Sequence, residues 1–389
     1  MTFSRFAYVL TCAIGSAAST ARAQFYAVMP APNCTESKVT SLAADGRTAT
    51  GWSADFLYSI QPGFTWSPSA GRSDYGLQAG MPVATVSEGI SGDGSTVVGY
   101  TGTPSTPARA FRYSGAGTYQ TLGTIGGFTE SEGHGVSGDG AVVIGNAHDR
   151  SFFSGVAFRW TESGGMQSLG YTRPSHFYSD ATAISRDGET IVGYSLGGST
   201  ADAFVWTESG GMTALHGIDG RNARAYGGSG TGSIVVGNSK FGANLNHAVM
   251  WRDGGILDLG VTPDMARSFA TAVSDDGSIV VGYAEMLTDF NDRACVWTQS
   301  TGMMILGDYL AASGVSTPAG WTYGGASAIS ADGRTIAGYG SFGNGHITGF
   351  VVTIPSPAAP IVFLALGLRA IRRRRIVDRS APARVEVAA

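Results

Sequence analysis

Residues 181–215 read ATAISRDGETIVGYSLGGSTADAFVWTESGGMTAL, and this stretch decides the fold. Ala181–Ser185 leads into Asp187-Gly188, the strongest short hairpin signal, a two-residue turn in which Asp and Gly are expected to accept positive φ. Thr190–Tyr194 is the return strand and Ala203–Trp206 a third. The turn Thr207–Gly211 then feeds a fourth strand, Met212 to Leu215. That turn and its Met recur letter for letter as TESGGM at 161–166. The strands are apolar in continuous runs rather than in strict alternation, so both faces of each small sheet must be covered.

Working outward, the unit recurs seven times. The Asp-Gly turn stands at Asp45, Asp93, Asp139, Asp187, Asp276 and Asp332, with Thr231-Gly232 as a degenerate copy. Six residues after each anchor comes a Gly: Gly51, Gly99, Gly145, Gly193, Gly237, Gly282 and Gly338. Close approach of a neighbouring sheet is the expected reason. A second anchor follows the first by 19 to 21 residues, at Trp66, Tyr113, Trp160, Trp206, Trp251, Trp297 and Val352. Its fixed place points to packing between repeats, with a sugar-stacking platform as the alternative. Four-stranded units stacked around an axis cover both faces and protect their edges. The expected fold is therefore all-β, a seven-bladed β-propeller. The last repeat lacks a fourth strand, and the segment 24–30 is expected to supply it. An open β-solenoid is the alternative, and it needs no such exchange.

Composition agrees. Gly contributes 58 of 389 residues, roughly twice the usual ~7%, and charged residues only 14% against a usual ~25%. With 14 Pro and no three-residue Gly period, collagen is excluded, and 43% apolar residues exclude general disorder.

Both ends read as addresses. Arg5, the apolar run Phe6–Ala18 and Ala21-Arg22-Ala23 form an expected signal peptide over 1–23. At the other end, Ile354-Pro355-Ser356-Pro357 precedes the apolar run Ala358–Leu368 and the basic block Arg372–Arg375. This segment, 355–375, is too short for a comfortable span of ~20 residues. It resembles PEP-CTERM sorting tails, with a disordered tail expected over 376–389. It departs from them in Ser356, where Glu is usual, and in the fourteen residues after the Arg block. A plain membrane anchor is the alternative. The resemblance implies processing by signal peptidase and an exosortase-type protease, transient anchoring, and release to the surface or matrix of a Gram-negative-type bacterium.

The basic tail hides the charge of the body. Of 25 basic and 29 acidic residues, two Arg lie in 1–23, and seven Arg with Asp378 and Glu386 lie in 355–389. The repeat region, 24–354, keeps 16 and 27, net −11, which disfavours nucleic acid. Cys34 and Cys295, the two cysteines left in that region, are too few for a disulfide framework.

Ala157–Trp160, Gly164–Gly170, Ala183–Tyr194 and Ala328–Tyr339 carry the motifs A-F-x-W, G-G-M-x-x-L-G and A-I-S-x-D-G-x-x-x-[VA]-G-Y. In them the chain resembles the HAF family of probable extracellular repeats, over nearly the whole repeat region. The first repeat matches worst, with Ala43-Ala44 in place of Ser-x. The resemblance implies a secreted, surface-associated protein and brings no catalytic residues.

The search for chemistry yields little. The six His show no metal-ligand spacing, and no Gly-x-Ser-x-Gly elbow or phosphate loop occurs. The turn aspartates read as structural, since Ser-x-Asp-Gly offers one carboxylate and a Ca²⁺ loop needs several oxygens. Asp289, Asn291 and Asp292 make a denser oxygen cluster without a known spacing. One interval is long: 35 residues from Trp297 to Asp332, against 25–27 elsewhere. Its Asp308, Tyr309, Trp321 and Tyr323 form a candidate ligand loop, or a cap on the ring. No catalytic residue, cofactor or metal is assigned. The expected function is a secreted, non-enzymatic propeller in adhesion or an exopolysaccharide matrix, with an extracellular polysaccharide or surface glycan as partner. The alternative is a propeller enzyme acting on extracellular glycans. Convergent carboxylates with Arg and His in a deep cleft at one end of a central channel would mark it, and a shallow face of scattered polar side chains would exclude it.

Overall fold

The computed structural model describes residues 23–55, 62–75, 84–103, 106–115, 117–150, 154–242, 245–286, 292–343 and 345–355. The leader up to residue 22, the segment from 356 onward, and Asp289 and Asn291 lie outside these. Among the described residues no helix is long and apolar enough to cross a membrane.

The chain is all-β. Six antiparallel groups of four consecutive strands begin at Glu36, Thr85, Glu130, Tyr178, Ala223 and Arg267, each ordered as in the sequence. The third and fourth groups share one parallel bridge, Gly155 to Tyr178. The seventh sheet holds Thr322–Ile329, Thr335–Ser341 and Thr348–Thr353, and its fourth strand is Gln24–Val28. That strand runs antiparallel to Thr348–Thr353, with Gln24 opposite Thr353 and Val28 opposite Gly349. Its side chains alternate. Phe25 meets Trp321 edge-on at 5.1 Å, while Tyr26 on the other face meets Trp66 at 5.0 Å.

The core is divided among the seams between sheets. Phe64, Phe111, Phe158, Phe204 and Phe350 are wholly buried. Each residue of the Trp slot packs on the preceding sheet. Trp160 sits with Val98 and Ala110, and Trp251 with Val192 and Ala203. Trp206 packs against Ile144 and Ala157, Tyr113 against Tyr75, and Trp297 against Ile234 and Val236. Trp66 closes the series against Val351 of the seventh sheet.

The turns differ from expectation in one respect. Only the Gly takes a positive φ, as at Gly140 (76°), and none of the turn aspartates does. The Gly140 N–H donates to Ser137 O (3.0 Å), so the Asp sits inside a four-residue turn. Its carboxylate is then free to accept from the Ser two residues back, at 2.5–2.7 Å in five turns. The carboxylate also accepts the backbone N–H two residues on, as Ala141 to Asp139 (3.0 Å). This local satisfaction explains the motif without a cation.

The residues between Ser and Asp tie the sheets together. Ala44 N–H donates to Gly92 O (3.1 Å), Asp93 to Gly138 (3.2 Å), Gly138 to Arg186 (2.8 Å) and Arg186 to Gly230 (2.8 Å). Gly230 N–H donates to the Asp275 carboxylate (2.8 Å). Asp275 then donates to Ala331 O and Ala331 to Ala44 O, both at 3.0 Å, which closes the circuit. An open solenoid has no such circuit.

Candidate functional site

The site grows from the invariant strand glycine. In every sheet the register of the first strand slips by one residue opposite that glycine. A methyl on Gly193 would overlap the Asp180 carbonyl oxygen and stand 2.8 Å from Phe204 Cζ. The expectation of a neighbouring sheet pressing on this glycine is thus corrected, because the crowding comes from the bulged first strand of its own sheet. A bulge leaves one residue unpaired and re-aims its side chain. The seven unpaired residues are Thr40, Glu88, His134, Thr182, Tyr226, Thr271 and Ser327. Together they ring a central cavity of about 250 Å³. Several tie adjacent sheets: Thr40 Oγ1 donates to Ser87 O (2.8 Å) and Thr271 Oγ1 to Ala326 O (2.6 Å).

Two residues before the bulge stand Lys38, Glu132, Asp180 and Arg224, so charge gathers at this mouth. His134 Nδ1–H donates to Asp180 Oδ1 (2.9 Å), and its Nε2 lies 3.6 Å from Glu132 Oε2. The other Glu132 oxygen lies 3.6 Å from Nε2 of the fully buried His148, whose Nδ1 is 3.9 Å from Glu130. Asp180 also accepts from Tyr194 OH (3.0 Å). Glu130, His148, Glu132, His134 and Asp180 thus alternate acid and imidazole at 2.9–3.9 Å, with Tyr194 hydrogen-bonded to the last.

This chain separates two neighbouring carboxyls. Burial pushes the Glu88 carboxyl up to about 7; the Glu132 charge adds to this, and His134 and Lys38 oppose it. Burial would also raise Glu132, but hydrogen bonds and charge from His134 and His148 hold it down at about 2. His134 loses solvation too, yet Asp180 and Glu132 keep it charged well above the usual imidazole range. Near neutral pH, Glu88 can donate a proton while Glu132 stays an anion.

Aromatic side chains frame the mouth from the position after each strand glycine: Trp52, Tyr100, Tyr194, Tyr283 and Tyr339, with Asn146 and Asn238 completing the set. Lys38 Nζ lies 4.6 Å from the Tyr339 ring centre and 5.5 Å from that of Trp52. Arg224 lies 5.1 Å from the Tyr194 ring, and Tyr283 stacks on Phe269 at 4.8 Å.

The residues expected from sequence lie elsewhere. Asp308 and Tyr309 belong to a short helix, Leu306–Ala312, that buries Leu306 and Leu310. Trp321 and Tyr323 are buried with Phe350 in the seam beside it. Within the long interval Trp321 and Tyr323 are packed, while Asp308 is exposed. Cys34 and Cys295 are free thiols, the second buried with its pKa pushed up to about 12. Sequence reading missed the bulge ring, although its members stand five residues before every turn anchor. It also missed the pairing of His134 and His148 on one carboxylate, since that contact arises across a bulged strand pair.

No protein-family model and no curated protein matches the chain. Among solved structures, oligogalacturonate lyase from Vibrio parahaemolyticus is 11% identical with a TM-score of 0.54, covering 87% of this chain and 98% of that one. An oligogalacturonate lyase in complex with manganese is 14% identical with a TM-score of 0.53, covering 87% and 95%. TolB from Acinetobacter baumannii is 14% identical with a TM-score of 0.38, covering 57% of this chain and about half (52%) of that one. Such neighbours are β-propeller proteins, and the all-β chain shares that fold. At these identities the likeness shows the fold alone.

The expectation of a non-enzymatic adhesion protein is corrected. Structures similar in fold include enzymes, which is a property of those proteins, and the channel mouth of this chain carries carboxylates, His and Arg as the alternative required. Among the described residues no group of three or more His, Cys, Asp or Glu is placed to hold a metal ion.

Proposed function

We propose that the chain is an enzyme that cleaves glycosidic bonds of extracellular glycans at the mouth of its channel. The observation that carries the reading is the pair Glu88 and Glu132, adjacent around the ring and pushed to opposite protonation states. Paired carboxyls whose environments drive them apart supply an acid and an anion for glycoside cleavage. Glu88 gives its proton to the leaving oxygen while a Glu132 oxygen bonds to the anomeric carbon. The Glu88 carboxylate then takes a proton from water, which displaces Glu132 and restores both groups. His134, held by Asp180, keeps Glu132 ionised and oriented. The −11 repeat region favours neutral glycans over polyuronides.

The scaffold of this reading is a seven-bladed propeller whose last blade is completed by Gln24–Val28. Deleting those residues should lower the unfolding midpoint, and an unchanged midpoint would remove the closure. The HAF-like repeats and the terminal segments support export, handling by signal peptidase and an exosortase-type protease, and release outside the cell. Activity is tested by incubating the purified chain with neutral and uronide polysaccharides and measuring new reducing ends. Glu88→Gln and Glu132→Gln should each lose at least ~100-fold. Products absorbing in the ultraviolet as unsaturated uronides would replace this chemistry with elimination, and full activity in both variants would remove the reading.

A further inference from the structure

We infer that the channel is a blind pocket that holds a single terminal sugar, so that the chain works from glycan ends rather than within them. This rests on the cleavage reading above for its second half only; the pocket stands on geometry. Glu88 and His134 belong to the bulge ring at the top of the 250 Å³ cavity. Two residues further along the first strands, Leu42, Ile90, Val136, Ile184, Val273 and Ile329 form an apolar collar. At ~3.3 Å per residue, the collar lies about 7 Å below the acid, the depth of one sugar ring.

Three features narrow the far side against a sugar. The collar presents no group to replace the water around a hydroxylated ring, so passage through it is costly. Beyond it lies a second cavity of only about 140 Å³. Arg186 and Asp275, from the fourth and sixth sheets, join across this end at 2.9 Å with both side chains partly exposed, so the far opening is narrowed by a charged pair. The upper cavity is smaller than the ~300–1,000 Å³ of drug-sized ligand sites, which suits one sugar and no more. Its wall suits one too. Thr40, Thr182, Tyr226, Thr271 and Ser327 offer hydroxyl oxygens around the ring, and the apolar collar meets the carbon face beneath. Glu132 is about one-fifth exposed and Glu88 is half-buried, so anion and acid are reached from the opposite mouth.

The test uses the full chain with a ladder of neutral oligosaccharides and the parent polymer. Saturation-transfer NMR on the inactive Glu132→Gln protein should show contact concentrated on the terminal ring. Ser327→Phe, which fills the cavity from a position whose side chain makes no inter-sheet hydrogen bond among the described residues, should weaken binding at least tenfold. Equal contact along internal rings, or unchanged binding in a folded S327F protein, would overturn the pocket. Should S327F not fold, the wild-type product pattern decides. Single sugars from the first turnover, with polymer length barely falling, support the inference, and a random spread of oligosaccharides overturns it while leaving the cleavage chemistry intact. Terminal binding without any cleavage would remove the enzyme and leave the pocket. Neither binding nor cleavage removes both.

Discussion

Glu88 makes a measurable claim about stability as well as catalysis. Its carboxyl has an ordinary value of 4.5 and sits at about 7 in the folded chain, with burial the main cause. The folded state therefore binds this proton more tightly than the unfolded state does, and stability must fall as pH rises through that window. The penalty is absent below pH 4.5 and complete above about 7. At ~1.4 kcal/mol per tenfold change in proton affinity it amounts to ~3 kcal/mol, and ~2–3 kcal/mol is the sensible expectation for a half-buried side chain. Glu88→Gln keeps the shape and removes the titration. Urea unfolding of both proteins at about pH 4.5, 6 and 8 should give nearly equal stabilities in acid, with the variant gaining ~2–3 kcal/mol by pH 8. The same variant should be inactive, a gain in stability traded for function. A stability difference that does not vary with pH, or that grows toward acid, would refute the burial argument and with it the assignment of the proton donor.

Other consequences are sharper at single positions. Gly193→Ala drives a methyl into the Asp180 carbonyl, so it should cost at least the ~1–3 kcal/mol of an overpacked core and lower the calorimetric melting temperature clearly. Thr231→Asp restores the turn carboxylate beside Ser229, whose hydroxyl now meets Thr231 Oγ1 at 3.0 Å. It should stabilise by ~1 kcal/mol in chemical denaturation. His148→Gln removes one of the two groups that depress Glu132, so the acid limb of the activity–pH profile should move to higher pH. An unmoved limb would show that His148 only fills space.

Much of the architecture was legible because it is written seven times. Asp-Gly, the glycine six residues on and the Trp slot each report a constraint within one repeat or between adjacent ones. Even the missing fourth strand of the last repeat could be matched to the orphan segment at 24–30. The turn aspartates were read as part of a two-residue hairpin, and their geometry differs: a carboxylate bonded to Ser Oγ holds the Asp at ordinary φ and leaves the positive φ to Gly alone. The strand glycine was recognised, but its cause was placed in the wrong sheet, because only coordinates reveal the bulge opposite it.

The channel mouth is harder to see for a physical reason. Positions 40, 88, 134, 182, 226, 271 and 327 share an offset but not one residue type: Thr40, Thr182 and Thr271 bond the next sheet, and the cavity leaves the other four free to differ. What the sequence by itself determined is the repeating scaffold, because close packing and tight turns select the same residues every time. What only the tertiary structure decided is the site. A carboxylic acid kept protonated and a carboxylate kept ionised become neighbours when separate repeats close around one axis, and their proton affinities depend on burial and partners that no single repeat contains.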